Sequence, residues 1–418
     1  MELRLMSLLG IVVFVGLAWA CSLKRDRFPW RTVISGIALQ LAFAIFILHT
    51  RMGEAVFQAA QNAFMKLLDC AAEGAKLVFG PLANVRLLDE KLGTGNGFVF
   101  VVTVSATIIL VSALSSFLYH YGILQRVVRS VAWVMQRIMR TSGSESLAAA
   151  ANIFMGQTEA PLVIKPYLLR MTQSELMALM VGGMATIAGG VLAAYVGFKI
   201  SAGHLLTASV MSAPAALMIA KIILPETEPS ETAAGASAKV PRETHNGIEA
   251  LCRGASEGMM LAINVMAMLI AFVAVVALAN GLLGWVQSWF GVVQPVTLEK
   301  IFGWVNAPFA WAMGVPWNDC VSVGEILGQR IVLNEFMGYL SLSGQLDKLD
   351  PRSITLTTYA LCGFANFSSI AIQIGGIGAL VPERRKDLAS LGLRAMIGGL
   401  LACYLTAAIV GILLPGAK

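Results

Sequence analysis

Charged residues are scarce in this 418-residue sequence. Asp, Glu, Lys and Arg together make up 13% of it, about half of the roughly 25% that soluble domains carry. Hydrophobic residues reach 57%, and the mean hydropathy is +0.75. This composition excludes a water-soluble globular protein and indicates an integral membrane protein.

Sequence patterns for several catalytic and energy-coupling sites are also missing. The four histidines form no HExxH pattern, no Walker A sequence is present, and the six cysteines form no CxxC pair. A zinc peptidase or an ATP-driven pump is therefore not expected. The cysteines are interpreted as packing residues rather than as a disulfide framework.

The basic residues are distributed as in a membrane protein. The net charge is +6, but these residues fall in short loops between apolar segments, which disfavours a nucleic-acid partner and fits the positive-inside bias. The first apolar run, 6–23, is followed rather than preceded by basic residues such as Lys24 and Arg25. A cleavable signal has the opposite order, so this run is interpreted as a membrane span whose N-terminus faces outward.

The hydrophobic runs predict an all-α polytopic membrane protein with about eight transmembrane helices. A helix needs about 20 apolar residues to cross the roughly 30 Å hydrocarbon core. The odd-numbered turns carry the basic residues, so we expect those turns in the cytoplasm and both termini on the outer side. The predicted spans are 6–23, 33–48, 97–119, 176–198, 205–224, 259–286, 354–380 and 395–414.

The sequence divides into four predicted regions. Two segments, 54–80 and 123–139, mix charged and apolar residues as interfacial helices do, and 225–246 is polar and rich in small residues, as flexible linkers are. The regions are N-terminal scaffold helices with an interfacial helix (1–96), a first repeat with a re-entrant hairpin at about 143–172 (97–224), a polar cytoplasmic linker (225–257), and a second repeat with a re-entrant hairpin at about 301–341 (258–418).

The stretch GQTEAPLV, residues 156–163, places three polar residues in a row between two apolar arms. An arm of about ten residues reaches only about 15 Å as a helix, which is half of the hydrocarbon core. The arms therefore predict a hairpin that enters from the cytoplasm, turns near the midplane and returns. Non-helical backbone is tolerated at that depth only where protein or a water-filled cavity surrounds it.

A second interrupted segment, 301–340, lies in the later half. Its middle reads GVPWNDCVSVGE, residues 314–325, where Pro316 interrupts the helix and polar residues again collect. Each interrupted segment precedes a Gly-rich span, and the two spans share a short ATIA or SIA core. Matching broken segments in two halves indicate a secondary transporter built from inverted repeats.

Polar residues at these breaks are the candidate site. Gln157, Thr158 and Glu159 occupy the first turn, and a carboxylate at membrane depth is a functional hypothesis by default. The alternative is that they satisfy the backbone of the turn. Asn334 and Glu335 follow the second break inside an apolar run, where a function is again favoured over a structural role.

Further polar residues leave two interpretations open. Asn366 and Ser369 are three residues apart and share a helix face, where they either bind a ligand or join helices. Asp319 and Glu325 either line the outer mouth of a cavity or cap short helices. Because no residue of the first turn is Arg or Lys, a phosphate or carboxylate ligand would lack its usual counter-charge. The site therefore favours a neutral polar solute or a cation.

Three ordered motifs carry a family resemblance. GQTEAPLV, the PWN break followed by NEF, and GFANFSSIA together resemble the concentrative nucleoside transporter family in its short bacterial, sodium-coupled form, over essentially the whole chain. The resemblance implies eight spans, two re-entrant hairpins and an interfacial helix. It also implies a homotrimer in the bacterial inner membrane and an elevator-like movement of the substrate-holding part.

The resemblance further implies a ligand set, residue by residue. The implied nucleobase contacts are Gln157, Thr158, Glu159, Val191 and Phe364. The implied ribose contacts are Glu335, Asn366 and Ser369. The implied sodium ligands are the side chains of Asn152 and Thr186 and the carbonyl groups of Met155 and Ile187.

The expected function is sodium-driven import of nucleosides such as uridine, without an enzymatic reaction or a resident cofactor. Sodium beside the first turn would order it and complete the pocket, so that each ligand favours binding of the other. Proton coupling is the alternative for the ion, and a channel or an intramembrane enzyme is the alternative for the class. These residues leave the choice between purine and pyrimidine nucleosides open.

Overall fold

The structure is a computed structural model and describes residues 2–93, 99–233, 235, 244–292 and 294–415. Regular secondary structure in these residues is entirely helical, which confirms the predicted all-α class. The α-helices are α1 (Glu2–Ala20), α2 (Trp30–His49), α3 (Arg51–Phe79), α4 (Val85–Leu92), α5 (Phe100–His120), α6 (Ile123–Met139), α7 (Gly143–Asn152), α8 (Ala160–Val163), α9 (Gln173–Ala185), α10 (Gly189–Gly197), α11 (Ala202–Ile223), α12 (Gly247–Trp289), α13 (Leu298–Ala312), α14 (Cys320–Val332), α15 (Glu335–Ser343), α16 (Pro351–Leu361), α17 (Phe367–Leu380) and α18 (Arg385–Leu413).

Two of the predicted spans are not continuous helices. Within the described residues, seven segments are long and apolar enough to cross a membrane. The predicted span 176–198 is divided into α9 and α10 at Thr186, whose backbone is extended, with φ −125° and ψ 166°. The predicted span 354–380 is divided into α16 and α17, and the side chain of Asn366 caps the start of α17. Both predictions of an unbroken helix were wrong, because Thr and Asn side chains compete for backbone hydrogen bonds and favour helix ends.

The two predicted amphipathic segments are helices. Segment 123–139 has the same limits as α6, and 54–80 falls almost entirely in α3. Residues in left-handed backbone conformations lie at both ends of α6, Gly122 with φ 72° and Arg140 with φ 54°. Their location in the membrane interface remains a prediction.

The first predicted hairpin is present, with unequal arms. We define hairpin 1 as residues 143–170: α7, a turn at 153–159, and a second arm of α8 followed by the 3-10 helix Lys165–Arg170. Helix α7 begins with a capping box in which Ser142 and Glu145 bond each other's backbone. The second arm is less regular than predicted, because Pro161 and Pro166 cannot donate backbone hydrogen bonds.

The second interrupted segment contains two breaks. Helix α13 ends at Ala312, and the 3-10 helix Trp317–Asp319 follows Pro316, as the sequence predicts. A further break separates α14 from α15, where the side chain of Asn334 accepts a hydrogen bond from Met337 N at 3.0 Å. We define hairpin 2 as residues 320–343, since the residue predicted to be functional, Glu335, lies at this second break.

The same order of elements occurs in both halves. The first half runs from the long helix α5 through α6, hairpin 1 and the divided pair α9–α10 to α11. The second runs from the long helix α12 through α13, hairpin 2 and the divided pair α16–α17 to α18. This order fits two repeats of one unit; the limits of the predicted regions remain a proposal.

The helices are unevenly buried. Helices α9, α11 and α18 are mostly buried, whereas α12 is mostly exposed and packs along α5. The predicted linker begins as an anchored segment rather than a flexible one, because Thr232 O accepts from Gly143 N at 2.8 Å and Thr232 Oγ1 accepts from Ser144 N at 3.1 Å. Residues 234 and 236–243 of this linker lie outside the described residues.

Candidate functional site

The turn of hairpin 1 contacts the helix α17 through two of its polar residues. Gln157 is buried, and its Nε2 donates to Ser369 Oγ at 3.1 Å. Thr158 lies beside Gly376, where an added methyl group would come within 2.9 Å of Thr158 Cγ2. The predicted turn residues therefore meet the predicted α17 residues directly.

Glu159 is held more loosely than its neighbours. Its Oε2 accepts from Gly156 N at 3.3 Å, a contact within the turn itself. The residue is exposed in the single chain, as is Thr158. The turn therefore presents a carboxylate and a hydroxyl at an open surface.

The carboxylate of Glu335 is enclosed at the start of α15. Only 6% of the residue is exposed. Its Oε1 accepts from the Tyr195 hydroxyl at 3.0 Å, and its Oε2 accepts from Asn366 Nδ2 at 3.0 Å. Each carboxylate oxygen thus has a neutral donor, which stabilises a buried acceptor.

The amide of Asn366 has a fixed orientation. Its Oδ1 caps α17 by accepting from Ser369 N at 2.9 Å, and it also accepts from Ser368 Oγ at 2.7 Å. Backbone N–H groups only donate, so Nδ2 must face Glu335. Asn366 therefore links the predicted ribose ligands Glu335 and Ser369 to one helix start.

The two divided helices touch at their breaks. Phe364 N donates to Thr186 O at 3.3 Å, which joins the break after α16 to the break after α9. Phe364 is half-buried, and Val191 is buried in the first turn of α10. Phe364 and Val191 are the two apolar residues predicted for the candidate site.

The predicted sodium ligands lie where hairpin 1 meets the α9 break. Asn152 is 1% exposed, and neither of its amide atoms has a hydrogen-bond partner among the described residues. The Thr186 hydroxyl donates to Gly182 O at 2.9 Å, so its lone pairs remain available. An added methyl group on Gly182 would lie 3.1 Å from Asn152 Nδ2, which places the amide against the same turn of α9.

The other two predicted ligands belong to the adjoining non-helical backbone. Met155 lies in the turn of hairpin 1, and Ile187 lies between α9 and α10. Gly189 N donates to Phe154 O at 3.3 Å and ties these two segments together. An unpartnered buried amide beside hydroxyl and carbonyl oxygens fits a hard cation, which prefers oxygen ligands.

Sequence reasoning missed two residues of this region. Tyr195 donates to Glu335, and Gln373 Nε2 donates to Gln157 Oε1 at 3.2 Å. Each stands four residues after a predicted site residue on the same helix, Val191 and Ser369 respectively. That spacing on one face was the available signal.

Asp319 and Glu325, for which the sequence leaves two interpretations open, differ in their surroundings. Asp319 Oδ2 accepts from Asp350 N at 3.0 Å and from Ser353 Oγ at 2.5 Å, so it holds the start of α16. Glu325 lies in α14 beside Gly303 of α13. Asp319 therefore has a structural role in holding the residues that begin α16.

Family models match three parts of the chain. The model described as "Na+ dependent nucleoside transporter C-terminus" matches residues 204–411, and the corresponding N-terminus model matches 9–82. A model described as "Nucleoside recognition" matches residues 101–201. These matches include both hairpins and both divided helices.

Individual proteins match over nearly the whole chain. The uncharacterized transporter YutK of Bacillus subtilis is 43% identical over 97% of this chain and 98% of its own length. Sodium/nucleoside cotransporter 2 of Rattus norvegicus is 38% identical over 98% of this chain and 63% of its own length. The structure of CNTnw in an inward-facing substrate-bound state has a TM-score of 0.92 at 39% identity, covering 98% of this chain and 97% of CNTnw. A CNTnw variant in an outward-facing state has a TM-score of 0.94 at 38% identity, covering 100% and 99%.

These matches confirm the predicted transporter and exclude the alternative of an intramembrane enzyme. With relatives of 38–43% identity over 97–98% of its length, and with the N-terminus and C-terminus models matching residues 9–82 and 204–411, the chain belongs to the Na+ dependent nucleoside transporter family.

Proposed function

We propose that this protein is a symporter that imports nucleosides across the bacterial inner membrane, coupled to the sodium gradient. One observation carries the proposal: the turn of hairpin 1, the break in hairpin 2 and the divided helix α16–α17 meet through direct side-chain hydrogen bonds. Gln157 bonds Ser369 at 3.1 Å, and Asn366 bonds Glu335 at 3.0 Å. Ligands of secondary transporters bind where such broken segments converge.

The proposed ribose contacts are Glu335, Asn366 and Ser369. Adjacent hydroxyls of a sugar can donate to a carboxylate, and such charge-assisted bonds are stronger than neutral ones. Glu335 is buried with both oxygens already oriented by Tyr195 and Asn366. A sugar hydroxyl therefore meets an acceptor that needs little reorganisation.

The proposed base contacts surround the turn of hairpin 1. The amide of Gln157 can pair with a donor–acceptor edge of a base, with Thr158 and Glu159 as further polar contacts. Phe364 and Val191 supply nonpolar contacts to the flat base, because aromatic rings stack well on π-systems. This division places the base at hairpin 1 and the sugar at hairpin 2.

The proposed sodium site consists of Asn152, Thr186 and the carbonyl groups of Met155 and Ile187. The buried amide of Asn152, which has no hydrogen-bond partner in the described part of the chain, supports it. Binding of sodium would fix the turn that carries Gln157, so sodium and nucleoside would favour each other reciprocally. One charge crossing 100 mV supplies about 2.3 kcal/mol, and a tenfold ion gradient adds about 1.4 kcal/mol. Together they sustain a nucleoside gradient of a few hundred-fold.

Alternating access by an elevator movement and a homotrimeric assembly complete the proposal. Structures of CNTnw are described as inward-facing and outward-facing, which supports two states for this fold. Helix α12 is mostly exposed. This exposure supports a role of α12 in contacting other copies of the chain or lipid. Both termini are proposed to lie in the periplasm.

Transport by purified protein in liposomes tests this function. We expect uptake of labelled uridine under an inward sodium gradient, and faster entry of label when unlabelled uridine is inside. Potassium in place of sodium should abolish concentrative uptake at constant pH. Uptake that follows a pH gradient without sodium would replace sodium by a proton, and uptake without acceleration by internal uridine would favour a channel.

A further inference from the structure

Gln373 lies behind the base-contacting turn and carries no assigned role. It is fully buried in α17, one helical turn after Ser369. Its Nε2 donates to Gln157 Oε1 at 3.2 Å and to Met180 O at 3.0 Å. Gly183 leaves room for this pair, because an added methyl group there would lie 2.7 Å from Gln373 Nε2 and 3.0 Å from Gln157 Cβ.

A backbone carbonyl group sets the donor–acceptor direction of these hydrogen bonds. The Met180 carbonyl only accepts, so the amide end of Gln373 that faces it must be the NH2 group. In this orientation Gln373 Oε1 is buried and has no donor among the described residues. The same NH2 group faces Gln157, which must therefore present its Oε1 to Gln373 and its Nε2 to Ser369.

We propose that Gln373 is a positioning residue that locks the amide orientation of Gln157 and thereby sets which base edge the transporter prefers. The inference rests on the proposed nucleoside transport. With the amide locked, the free hydrogen of Gln157 Nε2 and the second lone pair of its Oε1 occupy fixed places. The Ser369 hydroxyl, which accepts from Gln157, keeps its own hydrogen to donate to the ligand.

The chemical consequence is discrimination between bases of opposite polarity. Uracil presents an N3–H donor beside an O4 acceptor, whereas cytosine presents an N3 acceptor beside an N4 amino donor. A fixed amide matches one order better than the other. An amide that can rotate by 180° matches both orders and discriminates less. Discrimination of this kind arises because the wrong base leaves polar groups of the site unpaired.

Selectivity measurements test the proposal. KM values for labelled uridine and cytidine would be measured in liposomes at saturating sodium for the wild type, Gln373→Leu and Gln373→Glu. Gln373→Leu removes the lock, and we expect the uridine-to-cytidine KM ratio to change at least about fivefold, the effect of one hydrogen bond. Gln373→Glu puts an oxygen against Gln157, which favours the reversed amide, so the ratio should move further in the same direction.

Gln40→Leu is the matched control. Gln40 is another fully buried glutamine, in α2, where it bonds Gly36 O and Thr406 rather than the site. Its variant should keep the ratio within twofold of wild type. Equal changes of both KM values in the two Gln373 variants, or loss of folded protein in both while Gln40→Leu folds, would assign Gln373 to packing and overturn the proposal. Absence of uptake by the wild type would instead refute the proposed function itself.

Discussion

The two hairpin turns hold their carboxylates in opposite ways. In hairpin 2, Glu335 is 6% exposed and has a neutral donor for each oxygen. In hairpin 1, Glu159 is exposed, and the bond that its side chain accepts within the described part of the chain comes from Gly156 N of its own turn. Nearby Asn152 is buried without a partner among the described residues. The second half of the site is therefore preformed, and the first half is left for its ligands to complete.

This difference implies that the two halves of the site contribute differently to the free energy of ligand binding. A preformed group binds its ligand without an ordering cost. A turn with unsatisfied groups gains order when ligands bind, which couples the ligands to one another. The sugar is thus expected to bind to the rigid half, whereas sodium and the base meet in the adaptable half.

The end of hairpin 1 that lies far from its turn, here called its base, is in contrast held by buried ion pairs. Lys221 Nζ of α11 lies 2.7 Å from Glu145 Oε2 and also contacts Glu226 at 3.3 Å. Lys221 and Glu145 are buried, and Glu145 also completes the capping box of α7. The adaptable part of hairpin 1 is therefore its turn rather than its base.

Removing this anchor should give the largest effect. Lys221→Met leaves the Glu145 carboxylate buried without its counter-charge, and we expect a loss of about 3–5 kcal/mol of stability. Thermal unfolding in detergent measures it, and Lys221→Met combined with Glu145→Gln should recover part of the loss. Lys348→Met at an exposed lysine is the control. An unfolding temperature equal to wild type would mean that the linker contacts alone hold the base.

Hydropathy and turn chemistry located much of this fold. The limits of α6, the turn at Gln157 and the break after Pro316 follow from amphipathic spacing, a polar run and a proline. The divisions at Thr186 and Asn366 did not follow, because the short non-helical stretches 186–188 and 362–366 hardly change the mean hydropathy of a long apolar segment.

The network around the site could be predicted only in part. Polar residues inside apolar runs identified Gln157, Glu335 and Ser369 as candidates. Tyr195 and Gln373 were missed because their partners are 140 and 216 residues away in sequence. Their contacts exist only after the two halves fold against each other, which a reading of one segment at a time cannot reveal.

Charge removal at each turn tests whether the second half is the preformed one. In Glu335→Gln, an amide hydrogen must face Tyr195 or Asn366, both of which already donate. Because the variant also replaces the charged acceptor for two sugar hydroxyls by a neutral amide, we expect kcat/KM for uridine to fall about 100-fold or more. Glu159→Gln, at the adaptable turn, should cost about tenfold, and Glu383→Gln at an exposed position should have no effect. A larger decrease for Glu159→Gln would reverse the comparison.

The adaptable half should respond to sodium concentration. Thr186→Val keeps the shape of the side chain but removes the hydroxyl, which donates to Gly182 O. Gly182 in turn lies against the amide of Asn152. We expect the half-saturating sodium concentration to rise about tenfold, with uridine KM at saturating sodium within threefold of wild type. Thr207→Val is the control, since Thr207 is a buried threonine in α11 that likewise donates to a helix carbonyl. Equal reductions of uptake at all sodium concentrations would contradict a sodium role for Thr186.

The smallest expected effect separates orientation from packing in the preformed half. Tyr195→Phe removes one donor to Glu335 but keeps the ring, which stacks on Tyr339 with centroids 4.2 Å apart. We expect uridine KM to rise about fivefold with the maximal rate unchanged, because the lost bond acts on the sugar only through the orientation of the carboxylate, an effect of about 1 kcal/mol. Tyr339→Phe is the matched control: its hydroxyl donates to Thr358 O at 2.9 Å instead of to the carboxylate. If both variants raise KM equally, the tyrosine pair acts through packing, and the orientation of Glu335 depends on Asn366 alone.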